Sequence, residues 1–93
     1  MTNMEERVQA GIAFLKKEGY DLRGIDLDIL DMSDGYGACV LSQLAEVSFV
    51  VALMEHGLSV IDAVSYGFYC EDINQYPTLT ACWLQSLQED LSK

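Results

Sequence analysis

The stretch Ala38-Cys-Val-Leu-Ser-Gln-Leu-Ala-Glu-Val-Ser-Phe-Val-Val-Ala-Leu-Met-Glu-His56 decides the fold of this 93-residue chain. It is the most apolar part of the sequence, and Ser42, Gln43 and Glu46 make only a narrow polar stripe on a helical wheel. Gly57 follows and suits the left-handed position after a helix. A helix that is apolar over most of its circumference is normally contacted from several sides. The sequence therefore predicts a central helix over residues 38–56.

Two further main helices and one short helix are predicted on either side. Asn3 and Glu6 have the spacing of an N-terminal cap for a first helix over residues 4–18, which ends before Gly19. A short helix over residues 59–66 begins with Ser59 and Asp62, which resemble a capping box. The last helix has Pro77 in its first turn. Apolar residues at helical spacing mark the first helix (Val8, Ile12, Leu15) and the last (Leu79, Trp83, Leu87, Leu91).

The segment over residues 24–34 allows two interpretations. Ile25, Leu27 and Ile29 alternate with aspartates, which is the period of a short extended or two-stranded element. Aspartate is a poor strand residue, so an irregular or 3₁₀ segment fits equally well. Residues 33–37 are a predicted turn and residues 68–75 a loop. We expect one all-α domain over residues 1–93: a small helical bundle of three main helices and one short helix, with or without an extended segment at 24–34.

Charge and composition exclude several classes of protein. Fifteen carboxylates against five Lys and Arg give a formal net charge of −10, which offers no cationic surface for nucleic-acid phosphates or an anionic membrane. The longest apolar run, residues 49–54, is too short to span a bilayer. The acidic N-terminus is unlike a secretory signal. We therefore expect a cytoplasmic protein with no membrane partner and no direct nucleic-acid partner.

Residues capable of catalysis or metal binding are few. Cys39, Cys70 and Cys82 cannot form a fully paired disulfide set, and we expect reduced, buried thiols. His56 could complete a Cys₃His zinc site, but the short Cys-x₂₋₄-Cys spacing of such sites is missing. His56 also lies at a predicted helix end, where an imidazolium interacts favourably with the helix dipole. We predict no metal, no cofactor and no catalytic residue, and hence a protein that is not an enzyme.

Charge segregation is the first feature that suggests a function. Between Gly24 and Ser92 the chain has eleven carboxylates and no Lys or Arg. A sustained negative potential either maintains solubility or attracts a basic partner. The acidic surface that this predicts includes four closely spaced aspartates: Asp26, Asp28, Asp31 and Asp34.

An aromatic cluster among acidic residues is the second such feature. We expect Phe68 and Trp83 to pack in the core. Tyrosines on a loop beside carboxylates have the composition of a protein interface, although packing explains them equally well. The predicted protein-binding residues are Tyr66, Tyr69, Glu71, Asp72 and Tyr76.

Several phrases, read in order, resemble a family of small acidic proteins from actinobacteria and their bacteriophages. They are Ile25-Asp-Leu-Asp-Ile-Leu-Asp-Met32, Cys39-Val-Leu-Ser-Gln-Leu44, Ala63-Val-Ser-Tyr-Gly-Phe68 and Leu79-Thr-Ala-Cys-Trp83, preceded by Gly11-Ile-Ala-Phe-Leu15. The resemblance covers roughly residues 7–88. It implies a cytoplasmic, often phage-encoded accessory protein, and it implies no catalytic residue.

Three functions are consistent with these features. The first is a non-enzymatic, acidic protein-binding module, phage-associated, that binds and modulates a host protein with a basic or apolar surface. The second is a nucleic-acid mimic that inhibits a DNA-binding or defence protein. The third is a structural homodimer that buries its apolar excess against a second copy.

Overall fold

The computed structural model describes residues 3–34 and 36–92 and is all-helical over those residues. Five α-helices follow one another in the chain: α1 Met4–Lys17, α2 Val40–Ala45, α3 Phe49–Glu55, α4 Val60–Ser65 and α5 Tyr76–Leu91. Single 3₁₀ turns, Leu22–Gly24 and Ile73–Gln75, lie after α1 and before α5. The described residues contain no strand, which confirms the predicted all-α class and excludes a two-stranded element over residues 24–34.

The ends of α1 and α4 follow the capping signals in the sequence. The Asn3 side chain accepts a hydrogen bond from the Glu6 N–H at 2.8 Å, and Gly19 adopts a φ of +88° just beyond α1. Ser59 and Asp62 form a complete capping box, with reciprocal side-chain to backbone bonds of 3.1 Å. Local chemistry therefore sets these boundaries.

The single helix predicted over residues 38–56 is wrong, because the chain forms two helices there. Glu46 ends α2 in the left-handed conformation, with φ +59°. Ser48 then starts α3, and its hydroxyl accepts from the Val51 N–H at 3.5 Å. A left-handed residue followed by an N-cap turns the chain, so α2 and α3 point in different directions. Val40 and Leu41 of α2 are inaccessible to solvent, whereas α3 is buried on one side only, at Ala52 and Leu53.

The centre of the fold is the pair α1–α5. Val8 and Leu15 of α1 and Trp83 and Leu87 of α5 have no exposed surface. Phe68 stacks on Trp83 with ring centroids 5.9 Å apart, which confirms both aromatic residues as core. Helix α4 packs on α1, and α2 packs on α3.

Residues 24–34 form an irregular segment beside α2. Ile25, Leu30 and Met32 are buried, whereas Ile29 is 54% exposed. The Gln43 side chain fixes the segment to α2: its Oε1 accepts from the Asp26 N–H at 2.6 Å, and its Nε2 donates to the Asp26 carbonyl at 3.2 Å. Gly35, in the predicted turn over residues 33–37, lies outside the described residues.

Candidate protein-binding surfaces

The residues that could have formed a metal or catalytic centre have structural partners instead. His56 Nε2 lies 2.7 Å from the Tyr20 hydroxyl, and the His56 ring meets Phe14 edge-on. Cys39 is the N-cap of α2, since its Sγ accepts from the Ser42 N–H at 3.4 Å. The part of the chain that the structure describes has no group of three or more His, Cys, Asp or Glu placed to hold a metal ion.

The three thiols are held in their protonated form. Burial is the main cause, and it raises the pKa of Cys39, Cys70 and Cys82 above the ordinary value of 9.0. A thiol is a weak nucleophile compared with a thiolate. All three side chains are free cysteines, two of them buried and Cys82 half-buried.

The loop over residues 68–76, called the aromatic loop below, brings together two of the three predicted tyrosine contacts. Tyr69 stacks on Phe49 at 6.4 Å and meets Tyr76 edge-on at the same distance. The Tyr76 hydroxyl accepts from the Cys70 N–H at 3.4 Å. All three rings are half-buried. The stack fixes the loop to the first residue of α3 and leaves part of each ring accessible.

Tyr66 lies in a different aromatic group. Its ring stacks on Phe14 with centroids 4.7 Å apart and also contacts Phe68. This group joins α1 to the end of α4 and has a clear packing role. The structure therefore separates Tyr66 from the Tyr69–Tyr76 pair.

The two predicted acidic contacts, Glu71 and Asp72, are exposed on the aromatic loop. Asp72 also caps the 3₁₀ turn, because its Oδ1 accepts from the Asn74 N–H at 2.9 Å. Ile73, next to them, is 75% exposed. An exposed isoleucine between half-buried rings and two carboxylates has the composition of an interface centre with an acidic border.

All four aspartates of residues 26–34, called the aspartate segment below, are exposed. Three of them accept from the backbone N–H two residues further on: Asp26 from Asp28, Asp31 from Ser33 and Asp34 from Tyr36, at 2.9–3.0 Å. Hydrogen bonds from Ser33 also lower the pKa of Asp31. Local turn formation thus explains much of this spacing. The carboxylates remain at the surface as negative charges.

An exposed apolar surface on α3 and α4 was missed by the sequence analysis. It consists of five side chains, called the α3–α4 face below: Val50 (64% exposed), Val51 (41%), Met54 (75%), Val60 (57%) and Ile61 (78%). The central helix predicted over residues 38–56 implied burial of Val50, Val51 and Met54, whereas no burial was predicted for Val60 and Ile61. The signal that could have revealed the surface is Ser48, a good N-cap residue inside the apolar run.

The charged residues of α3, of α4 and of the turn before α3 are all acidic. Glu55 follows Met54, Asp62 follows Ile61, and Glu46 lies in the turn before α3, all three exposed. Two of the chain's cations are paired elsewhere: Lys16 with Asp90 at 2.8 Å and Arg23 with Asp21 at 3.0 Å. The two helices that carry the face therefore contribute negative charges and no positive ones.

An open cleft of about 460 Å³ lies between α2 and the start of α3. Ser42, Gln43, Glu46 and Ser48 are among its lining residues. The Ser42 hydroxyl is buried and has no hydrogen-bond partner within the described residues. Because this oxygen is itself inaccessible, it is not available to a molecule in the cleft.

Comparison with protein-family models, with curated proteins and with solved structures finds no significant match to this chain. The resemblance to small acidic actinobacterial and phage proteins stays a prediction from the sequence. No helix among the described residues has the length and apolar character needed to cross a bilayer.

Proposed function

We propose that this chain is a non-enzymatic, acidic protein-binding module that binds and modulates a host protein. The main support for this proposal is the composition and exposure of the aromatic loop. It combines half-buried Tyr69 and Tyr76, exposed Ile73, and the exposed carboxylates of Glu71 and Asp72. The proposed contacts are these five residues, with Tyr66 contributing only at the edge of the surface.

Each part of this surface has a defined role in the proposal. Aromatic rings held by packing lose little conformational entropy on binding, so they serve as anchors. The carboxylates attract and orient a partner with a basic surface. The net charge of −10 extends that attraction beyond the contact itself. The phage association and the cytoplasmic location rest on the sequence resemblance alone.

Nucleic-acid mimicry is the alternative function, and the exposed aspartate segment favours it. Four carboxylates project from one irregular stretch, and Asp31 is held in its ionised form. A mimic would place such charges in the basic cleft of a DNA-binding or defence protein. Turn formation already accounts for the positions of three of the four aspartates. We therefore favour protein binding through the aromatic loop over nucleic-acid mimicry through the aspartate segment.

The test is a pull-down from a nuclease-treated actinobacterial lysate with washes at low and high salt. The bait proteins are the wild type, Ile73→Gln in the aromatic loop, and Ile29→Gln as a matched control on the aspartate segment. Both isoleucines are exposed, so neither change should disturb the core. The proposal expects a protein retained at both salt concentrations, lost from Ile73→Gln and kept by Ile29→Gln.

Two results would contradict the proposal. A DNA-binding protein that leaves at high salt and ignores Ile73→Gln would favour mimicry. If no protein is retained, sedimentation at increasing concentration tests the remaining alternative, a structural homodimer. Self-association would then replace host-protein binding as the function.

A further inference from the structure

The α3–α4 face is a second exposed surface, separate in composition from the aromatic loop. Val50 and Met54 are one helical turn apart on α3, and Val60 and Ile61 begin α4 after a short connection. Side chains four residues apart lie on the same side of a helix. All five residues of the face are exposed, so packing in the core does not explain why these positions are apolar.

The charged residues of α3 and α4 restrict which kind of partner can bind to this face. Glu46, Glu55 and Asp62 are exposed beside its two helical stripes, and no Lys or Arg occurs between residues 24 and 92. A second copy would bring these carboxylates against their own equivalents, with a formal charge of −10 on each chain. Like charges across an interface are unfavourable. A partner with cationic residues around an apolar stripe is complementary.

The secondary structure of the partner follows from the shape of the surface. An extended peptide that binds by adding a strand to a sheet needs an open strand edge, and the described residues contain no strand. Apolar residues at helical spacing on a surface are typical of helix-to-helix packing, in which i, i+3 and i+4 side chains interlock. We propose that the α3–α4 face binds an amphipathic helix of a partner protein whose apolar stripe is bordered by lysine or arginine.

This inference does not require the aromatic loop to bind anything. If both proposals hold, the chain contacts its partner at two surfaces, and Phe49 links them. Phe49 is the first residue of α3 and stacks on Tyr69 of the aromatic loop. The experiment below therefore tests the α3–α4 face with a defined peptide rather than with a lysate.

The probe is a synthetic helical peptide of about 20 residues, with leucines on one face and lysines on both flanks. A scrambled peptide of the same composition controls for charge attraction alone, and a version with glutamate in place of lysine controls for the apolar contact alone. Calorimetric titration at about 150 mM salt gives the affinity. The proposal expects the amphipathic lysine peptide to bind at least about tenfold more tightly than either control.

The protein variants locate the contact. Met54→Gln keeps the side-chain length, and both Met54→Gln and Ile61→Gln keep good helix propensity while removing apolar surface. Each should weaken peptide binding about tenfold, as expected for one lost apolar anchor. Ile29→Gln is the matched control, because Ile29 is exposed (54%), lies outside the face and is not a proposed contact of the aromatic loop. It should leave the affinity unchanged.

Four outcomes would overturn the inference. They are no binding of the amphipathic peptide, equal binding of the scrambled peptide, equal losses in Met54→Gln and Ile29→Gln, and a concentration-dependent dimer that Met54→Gln abolishes. The last outcome assigns the face to a second copy of the chain. Failure of the peptide test leaves the aromatic loop unaffected, because the loop is tested separately through Ile73→Gln in the pull-down.

Discussion

The indole N–H of Trp83 donates a hydrogen bond of 2.7 Å to the main-chain carbonyl of Gly67. Trp83 is the most voluminous side chain without solvent exposure, and the bond joins α5 to the second residue after α4. Gly67 can make this turn because its φ is +71°, a conformation that glycine adopts without strain. This relationship positions the aromatic loop, which begins immediately afterwards.

Trp83→Phe should destabilise the fold by about 2 kcal/mol or more. The change leaves the buried Gly67 carbonyl without its donor and opens a cavity beside Phe68. Urea denaturation followed by circular dichroism measures the free energy of unfolding. A loss below about 0.5 kcal/mol would show that the bond and the packing contribute little.

Gly11→Ala should destabilise α1 packing by about 2–3 kcal/mol, because a β-carbon there would lie 2.1 Å from the Tyr66 carbonyl oxygen. The rigid backbone at Tyr66 cannot easily give way. Gly24→Ala is the matched control, since its nearest neighbour would be Leu44 at 3.9 Å. The control should be neutral or stabilising by up to about 1 kcal/mol. Equal effects of the two changes would disprove the close approach of α1 and Tyr66.

Glu46→Gly should stabilise the protein by about 1 kcal/mol. Glu46 is the only described non-glycine residue with positive φ, and glycine removes the cost of the left-handed conformation. Glu55→Gly removes a carboxylate at the end of α3, where the backbone is helical, and should destabilise by about 1 kcal/mol. Changes of opposite sign in the free energy of unfolding, measured by chemical denaturation, support the break between α2 and α3. If both changes destabilise equally, residues 38–56 behave as one helix.

Stability should fall as the pH rises above about 9. Burial raises the pKa of Cys39 and of Tyr20, and the nearby carboxylates of Glu55 and Glu18 add to the effect at Tyr20. The unfolded chain therefore loses these protons at lower pH than the folded chain, and the free energy of unfolding decreases through that range. Below the ordinary pKa values both states are protonated, and the contribution is constant.

Denaturation midpoints between about pH 7 and pH 10.5 measure this dependence. Cys39→Ala should give a flatter decline above about pH 9, because one buried thiol no longer titrates. Its stability near neutral pH should drop, since Cys39 also caps α2. Wild-type stability that is constant up to about pH 10.5 would contradict the burial of these groups.

Sequence patterns predicted the features of this fold that depend on neighbouring residues. Asn3, Ser59 and Asp62 cap helices because the cap chemistry lies within one turn of the chain. Phe68 and Trp83 were identified as core because large aromatic residues in a small domain have few other places to pack. The period of α5 indicated its buried side at Leu79, Trp83 and Leu87, whereas Leu91, the last residue of the helix, is 37% exposed.

The features that depend on distant contacts were not predictable in the same way. Apolar composition favoured one helix over residues 38–56, and the local break at Glu46 is weak in the sequence because glutamate rarely adopts positive φ. Tyr66 and Tyr69 lie in separate aromatic groups because Tyr66 stacks on Phe14 and Tyr69 stacks on Phe49. Both phenylalanines are remote in sequence from the tyrosines that they contact. Sequence spacing alone gives no information on such pairs.

The salt dependence of affinity for a retained host protein tests most directly whether apolar contacts carry the binding. Titration of the purified pair between about 50 and 200 mM salt is the measurement. A protein-binding module predicts a loss of affinity of less than about tenfold over this range, because apolar contacts respond little to ionic strength. A loss of about a thousandfold or more, as when many phosphate-like charges are neutralised, would contradict the account and assign the acidic surface to nucleic-acid mimicry.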